Sequence, residues 1–135
     1  MSSKIFVNLP VKDLKKTISF FEQVGFGFNP QFTDDTAACM VIGEGNFAML
    51  LTHAKFSQFT SKKIADARST AEVLVAVSFD SRARVDEIAD AALAGGATEP
   101  NAPRDYGFMY QRSFDDLDGH TWEIFHMDES AIPKA

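Results

Sequence analysis

Two histidines, a tryptophan and a carboxylate crowd into one short stretch near the end of the chain, His120-Thr121-Trp122-Glu123-Ile124-Phe125-His126. An acidic turn, Asp115-Asp116-Leu117-Asp118-Gly119, feeds directly into it. Asp-Gly is a strong turn signal because glycine readily takes positive φ, and the aromatic and β-branched residues on both sides read as strands. Strand side chains alternate between faces, so Thr121, Glu123 and Phe125 share one face while Trp122, Ile124 and His126 share the other. Glu123 is the polar centre of any site built here. A carboxylate among apolar neighbours has a raised pKa and can act as a general base, or it can ligate a metal. The competing reading is a carboxylate satisfied by Arg112 or Tyr110.

The remaining histidines carry weaker signals. His120 occupies the turn and reads as a polar turn residue, and His126, on the Trp122 face, reads as structure facing a helix. His53 shares a strand face with Met49 and Leu51; it either supplies a ligand at the rim of a site or is a surface histidine just past a strand end. Asn8 has an amide able to hydrogen-bond a ligand or to serve the fold. Tyr106, Phe108 and Tyr110 share one strand face and offer an aromatic lining for a planar or apolar guest, or ordinary core. No nucleophile–base pair, phosphate loop or Cys/His metal spacing occurs elsewhere in the sequence.

The elements that position these residues are legible from periodicity. Residues 5–11 have the apolar content of a buried strand, with Pro10 near its end. Asp13 caps a helix in which Leu14, Ile18, Phe21 and Val24 recur at helical spacing, and Gly25 ends it. Short strands are expected at 31–33, 37–42 and 46–53, separated by Asp34-Asp35 and Gly43-Glu44-Gly45. A polar connector follows at 54–71, with a short helix expected around 61–68 and with Phe56 and Phe59 placed to fold over a groove. Then the order restarts: a strand at 72–79, a helix built on Val85, Ile88, Ala89, Ala92 and Leu93 and stopped by Gly95-Gly96, and strands at 97–100, 107–114 and 121–127. Val7-Asn8-Leu9-Pro10-Val11 aligns with Val75-Ala76-Val77-Ser78-Phe79, so the chain is a repeat of two β-α-β-β-β modules. Two such modules, pairing their sheets into a curved surface with helices outside, enclose a concave cavity. The expected organisation is one α+β domain over 1–135: module one at about 4–53, connector at about 54–71, module two at about 72–127 and a tail at 128–135.

Composition narrows the classes of function. The 135 residues suffice for one domain with a sizeable core and no need of a disulfide or metal to fold. The single cysteine, Cys39, has no intramolecular partner for a disulfide and reads as a buried thiol in a protein of a reducing compartment, so the cytoplasm is expected. A formal net charge of −6 opposes a nucleic-acid partner, and the short basic clusters Lys12/Lys15/Lys16 and Lys62/Lys63 read as solvated faces. No segment approaches the roughly 20 apolar residues of a membrane helix, and no signal-peptide core opens the chain.

The opening Val7-Asn8-Leu9-Pro10-Val11-Lys12-Asp13-Leu14, with Phe20-Phe21 and Gly25-Phe26, and the closing Arg112-Ser113-Phe114-Asp115-Asp116-Leu117-Asp118-Gly119-His120-Thr121-Trp122-Glu123 resemble the vicinal oxygen chelate superfamily. This is the group of glyoxalase I, extradiol dioxygenases and bleomycin-resistance proteins. The resemblance implies paired βαβββ modules and, for the enzymes, one divalent metal held from the first and last strand of each module. Those four positions fall on Phe6, Met49 (Leu50 if the register is one off), Leu74 and Glu123. Three are apolar, and a catalytic divalent site needs about three protein ligands. The expectation is therefore a chain without a cofactor, a divalent metal remaining an alternative with Glu123 as its one family ligand. The function implied is binding of a small apolar or aromatic molecule, the bleomycin-resistance kind, with ligand-binding residues Phe6, Asn8, Met49, His53, Leu74, Phe108, Tyr110 and Arg112 and with Glu123 as the catalytic candidate. The alternative is a metal-dependent lyase of the lactoylglutathione lyase kind or a dioxygenase. The partners expected are a small-molecule ligand and a second copy of the chain, since the superfamily commonly dimerises; nucleic acid and membrane are not expected.

Overall fold

The computed structural model describes residues 3–132, so residues 133–135 of the expected tail lie outside the described part. The chain divides into two compact units, the first ending at Asp66 and the second beginning at Ala67. The architecture is α+β: each unit carries one four-stranded mixed sheet and one long helix.

In the first unit β1 (Ile5–Val11) leads through α1 (Leu14–Val24) to β2 (Gly27–Asn29), β3 (Ala37–Gly43), β4 (Asn46–Thr52) and a one-turn α2 (His53–Phe56). The sheet order is β1-β4-β3-β2, with β1 parallel to β4 and the other pairs antiparallel. Asp13 caps α1 by accepting from the Lys16 amide at 3.1 Å, and Gly25, at φ 121°, ends it in a conformation that a side chain would strain. The helix buries Leu14, Thr17, Phe20, Phe21 and Val24. Leu9 and Val11 of β1, Ala38 and Met40 of β3, and Ala48 and Leu50 of β4 are buried with it. Each large side chain so enclosed contributes about 1.5–3 kcal/mol relative to exposure.

The second unit repeats the plan. β5 (Leu74–Ser78) leads through α3 (Arg82–Ala94) to a two-residue β6 (Arg104–Asp105), β7 (Met109–Asp115) and β8 (Thr121–Met127), in the order β5-β8-β7-β6. Ser81 caps α3 through the Arg84 amide at 3.1 Å. The helix lies on β7 and β8 and buries Val85, Ile88, Ala89 and Ala92. Beneath it Phe114, Trp122 and Ile124 are fully enclosed, with the Phe114 and Trp122 rings near parallel at 6.4 Å. The Trp122 face is thus the core face of β8.

Three expected elements differ. The strand expected at 31–33 is a 3-10 turn, Pro30–Phe32, because Asn29 accepts from the Gln31 amide and Pro30 fills the first helical position; the strand lies earlier, at Gly27–Asn29. The helix expected at 61–68 is irregular chain and turn, and the short helix sits instead at His53–Phe56, where Thr52 caps it through the Lys55 amide at 3.2 Å. The strand expected at 97–100 reduces to one bridge, Thr98 with Asp115, and β6 supplies the fourth strand.

Candidate functional site

β8 sorts its residues sharply between two faces. Trp122 and Ile124 point under α3, and His126 stays on that side, its Nδ1 2.9 Å from the Phe79 carbonyl. A carbonyl only accepts, so Nδ1 carries the proton and the ring ties β8 to the end of β5. Thr121, Glu123 and Phe125 occupy the other face, half-buried. In register across the antiparallel ladder stand Asp115 opposite Thr121, Ser113 opposite Glu123 and Gln111 opposite Phe125; on the parallel side Ala76 stands beside Glu123 and Leu74 beside Thr121. Directly paired residues share a face. Glu123 therefore lies among Ser113, Gln111 and Ala76.

The hydrogen bonds bear this out. Gln111 Nε2 donates to Glu123 Oε2 at 3.1 Å, and Thr121 Oγ1 donates to Asp115 Oδ1 at 2.6 Å. Ser113 is 2% exposed, and its Oγ has no hydrogen-bond partner among the described residues. A buried hydroxyl left in that state costs about 1–3 kcal/mol, which makes it notable beside a carboxylate.

Tyr110 and Arg112 do not serve Glu123, contrary to the sequence reading. Both sit on the α3 side of β7, because they alternate with Gln111 and Ser113. The Tyr110 hydroxyl donates to Asp86 at 2.6 Å, and burial first, then this bond, raises its pKa. Arg112 reaches Asp90 at 2.8 Å and Asp86 at 3.2 Å through Nη1, and Glu99 at 3.0 Å through Nη2. Burial works against its charge, but the bonds it donates to Asp90, Glu99 and Asp86 together outweigh that and raise its pKa. The cluster fastens α3 to β7. Tyr106 and Phe108 belong to the loop before β7 and flank Gly107 at φ 82°, their rings tilted at 6.4 Å, so they do not form one strand face with Tyr110. Arg82 clasps the same loop with paired bonds to Asp105 at 2.8 and 2.9 Å and lies 5.2 Å from the Tyr110 ring centre.

The acidic turn has an organising residue that sequence reading passed over. Asp116 is 6% exposed; its Oδ1 accepts from the amides of Asp118 at 2.9 Å and His120 at 3.0 Å, and its Oδ2 accepts from Trp122 Nε1 at 3.0 Å. Desolvation raises its pKa against the opposing pull of His120, Trp122 and the two amides. An aspartate two residues before Asp-Gly is the available sequence signal, since short carboxylates close turns on nearby amides. Gly119, at φ 90°, has no room for a side chain: a Cβ there would stand 2.8 Å from the Arg68 backbone nitrogen, and Arg68 itself donates to the Leu117 carbonyl at 2.9 Å.

In the first unit Phe6 is half exposed and stacks on Phe47 at 4.7 Å with planes 12° apart. Asn8, exposed, and half-buried Met49 face each other in the ladder, with Cys39 on the far side of Met49. Burial raises the Cys39 thiol pKa, which keeps it protonated and unreactive. Phe47 was not singled out from the sequence, although its alternation with Met49 places it on this face. His53 does not continue the Met49 face: the strand ends at Thr52 and His53 opens α2, exposed. Leu74, at the start of edge strand β5, is 54% exposed. Phe6, Met49 and Leu74 offer no oxygen or nitrogen donor, and among the described residues no three His, Cys, Asp or Glu side chains cluster as a metal site would need.

The sequence matches the model of the Glyoxalase/Bleomycin resistance protein/Dioxygenase superfamily over residues 5–124. The chain belongs to that superfamily. Among solved structures, a hypothetical protein from S. aureus is 24% identical with a TM-score of 0.78, covering 93% of this chain and 95% of its own. A glyoxalase/bleomycin resistance protein/dioxygenase family enzyme from Burkholderia phytofirmans is 21% identical with a TM-score of 0.76, covering 93% of this chain and 99% of its own. The fosfomycin resistance protein FosX from Listeria monocytogenes is 20% identical with a TM-score of 0.67, covering 100% of this chain and 96% of its own. At these identities the likeness is one of fold. No curated protein matches the chain. No helix among the described residues is long and apolar enough to cross a membrane.

Proposed function

We propose that this member of the superfamily binds a small apolar or aromatic molecule on its open sheet faces without the divalent metal of the family's enzymes. The observation that carries the reading is the donor set. Of the four positions from which the family holds its metal, Phe6, Met49 and Leu74 cannot ligate a hard cation, and Glu123 alone is one ligand where about three are needed. The residues present do not fit the metal, so no chemical step is assigned through it.

Apolar surface in the places where the family's enzymes keep ligands supports a binding role. Phe6 of edge strand β1 is 50% exposed and Leu74 of edge strand β5 is 54% exposed. Aromatic and aliphatic surface of this kind either receives an apolar ligand or is covered by another molecule. A homodimer is part of the proposal on the same grounds, because unpaired strand edges with apolar flanks invite a second copy.

Amide NMR of the labelled protein titrated with a panel of uncharged aromatic fragments tests the binding claim. Saturable shifts confined to β1 and β4 or to β5, β7 and β8 are expected; no saturable shift with any fragment at millimolar concentration overturns it. Light scattering at micromolar concentration tests the dimer, and a monomer mass removes that part alone.

A further inference from the structure

We infer that the Glu123 face of the second unit recognises its ligand through a protonated amine. The inference deepens the proposed function and rests on it: the ligand is apolar in its body and cationic at one end.

Three residues that carry acceptor oxygens, Glu123 of β8 and Gln111 and Ser113 of β7, share this face. Glu123 Oε2 accepts from Gln111 Nε2 at 3.1 Å, and a carboxylate has about four acceptor positions, so one weak donor leaves most of its capacity unused. Among the described residues no lysine, arginine or histidine forms an ion pair with Glu123. Gln111, having turned its NH2 toward Glu123, has its own carbonyl oxygen as a further acceptor. Ser113 stands directly opposite Glu123 in the ladder and two residues from Gln111 on the same face. Its Oγ is buried and lacks a partner, although a hydroxyl ordinarily finds one. The orphaned hydroxyl is an observation independent of the carboxylate, and its residue is in register with Glu123.

The three acceptors select among ligand groups. A primary ammonium has three donors and a positive charge, so it meets the carboxylate with a charge-assisted bond while its other hydrogens reach the Gln111 carbonyl and the Ser113 hydroxyl. A carboxylate or phosphate would face Glu123 with like charge, and a neutral hydroxyl could satisfy one acceptor only. To reach Ser113 the amine displaces the Gln111 amide from its place beside Glu123, exchanging one neutral donor for a charged one. Ala76 beside Glu123, Phe125 opposite Gln111 and exposed Leu74 offer apolar contact to the rest of the molecule. Arg104, in register with Gln111 on β6 and exposed, limits how far a cationic ligand extends toward that edge.

The experiment titrates the labelled full chain at pH 7 with benzylamine, benzyl alcohol and benzoate, following amide shifts in β7 and β8. Benzylamine is expected to bind at least tenfold more tightly than benzyl alcohol, with benzoate weakest. E123Q, nearly isosteric, is expected to remove at least tenfold of the benzylamine affinity and so to bring it down toward that of benzyl alcohol. S113A, which deletes an unsatisfied hydroxyl and so does not endanger the fold, is expected to weaken benzylamine severalfold. Equal binding of amine and alcohol, or benzylamine binding unchanged in both variants, overturns the amine while leaving the face as a small-molecule site. Absence of saturable shifts with all three compounds overturns the amine and counts against the binding function itself.

Discussion

Gln111 Nε2 donates to Glu123 Oε2 at 3.1 Å, so the carboxylate is answered from the neighbouring strand by an amide. An amide oxygen can accept this bond as a carboxylate does. Glu123→Gln is therefore expected to keep the fold, with stability within about 1 kcal/mol of the parent. Urea unfolding followed by tryptophan fluorescence checks this, and a loss well beyond that would mean that Glu123 is structural.

Asp116 accepts from Asp118, His120 and Trp122, all donors, with both of its oxygens. An asparagine offers one oxygen only, and its NH2 must then face a donor. Asp116→Asn should destabilise by about 1–3 kcal/mol, the cost of a buried N–H left without an acceptor. The near-ultraviolet signal of Trp122 reports the same turn directly. An unfolding midpoint unchanged by the substitution would remove the turn from the account.

Arg112 bonds Asp86, Asp90 and Glu99 from a position only 11% exposed. Arg112→Leu is expected to cost about 2–3 kcal/mol, and Arg112→Lys to recover less than half of it, because one ammonium cannot span three carboxylates in a planar fork. Ligand affinity on the Glu123 face should not change in either variant, since Arg112 lies on the helix side of the strand. Calorimetric melting and fragment titration separate the two effects.

The hydrogen bond from Arg82, joined by the Gly107 amide, lowers the Asp105 pKa to about 2. A depressed carboxylate contributes stability above its unfolded value, near 3.9, and that contribution disappears as pH falls from there through about 2. Both partners are substantially exposed, so the effect on overall stability is small. Carboxyl-carbon NMR should show Asp105 titrating near 2, moving toward 3.9 in Arg82→Ala. A midpoint already near 3.9 in the parent would show that the pair does not form in solution.

The repeat of β-α-β-β-β, the caps at Asp13 and the stop at Gly25 were legible in the sequence because each rests on local chemistry: helical spacing, a capping side chain, a glycine at positive φ. The shared face of Glu123, Thr121 and Phe125 followed from alternation alone. The partner of Glu123 did not, because chemical type alone points to Tyr110 and Arg112, whereas strand parity puts Gln111 and Ser113 on that face. His53 was misplaced for a related reason: the strand was extended by one residue past Thr52, whose hydroxyl caps a helix there. Asp116 was hidden by its acidic neighbours, since nothing in composition distinguishes a buried carboxylate from two exposed ones until the turn closes around it.

Ligand binding without the family's metal, as proposed, is tested by calorimetric titration of the metal-free protein with nickel, zinc, iron(II) and manganese. With apolar side chains at Phe6, Met49 and Leu74, no stoichiometric binding of any of the four is expected at micromolar protein. One equivalent bound tightly, and lost in Glu123→Gln, would contradict it and make a metal-dependent lyase or dioxygenase the better reading.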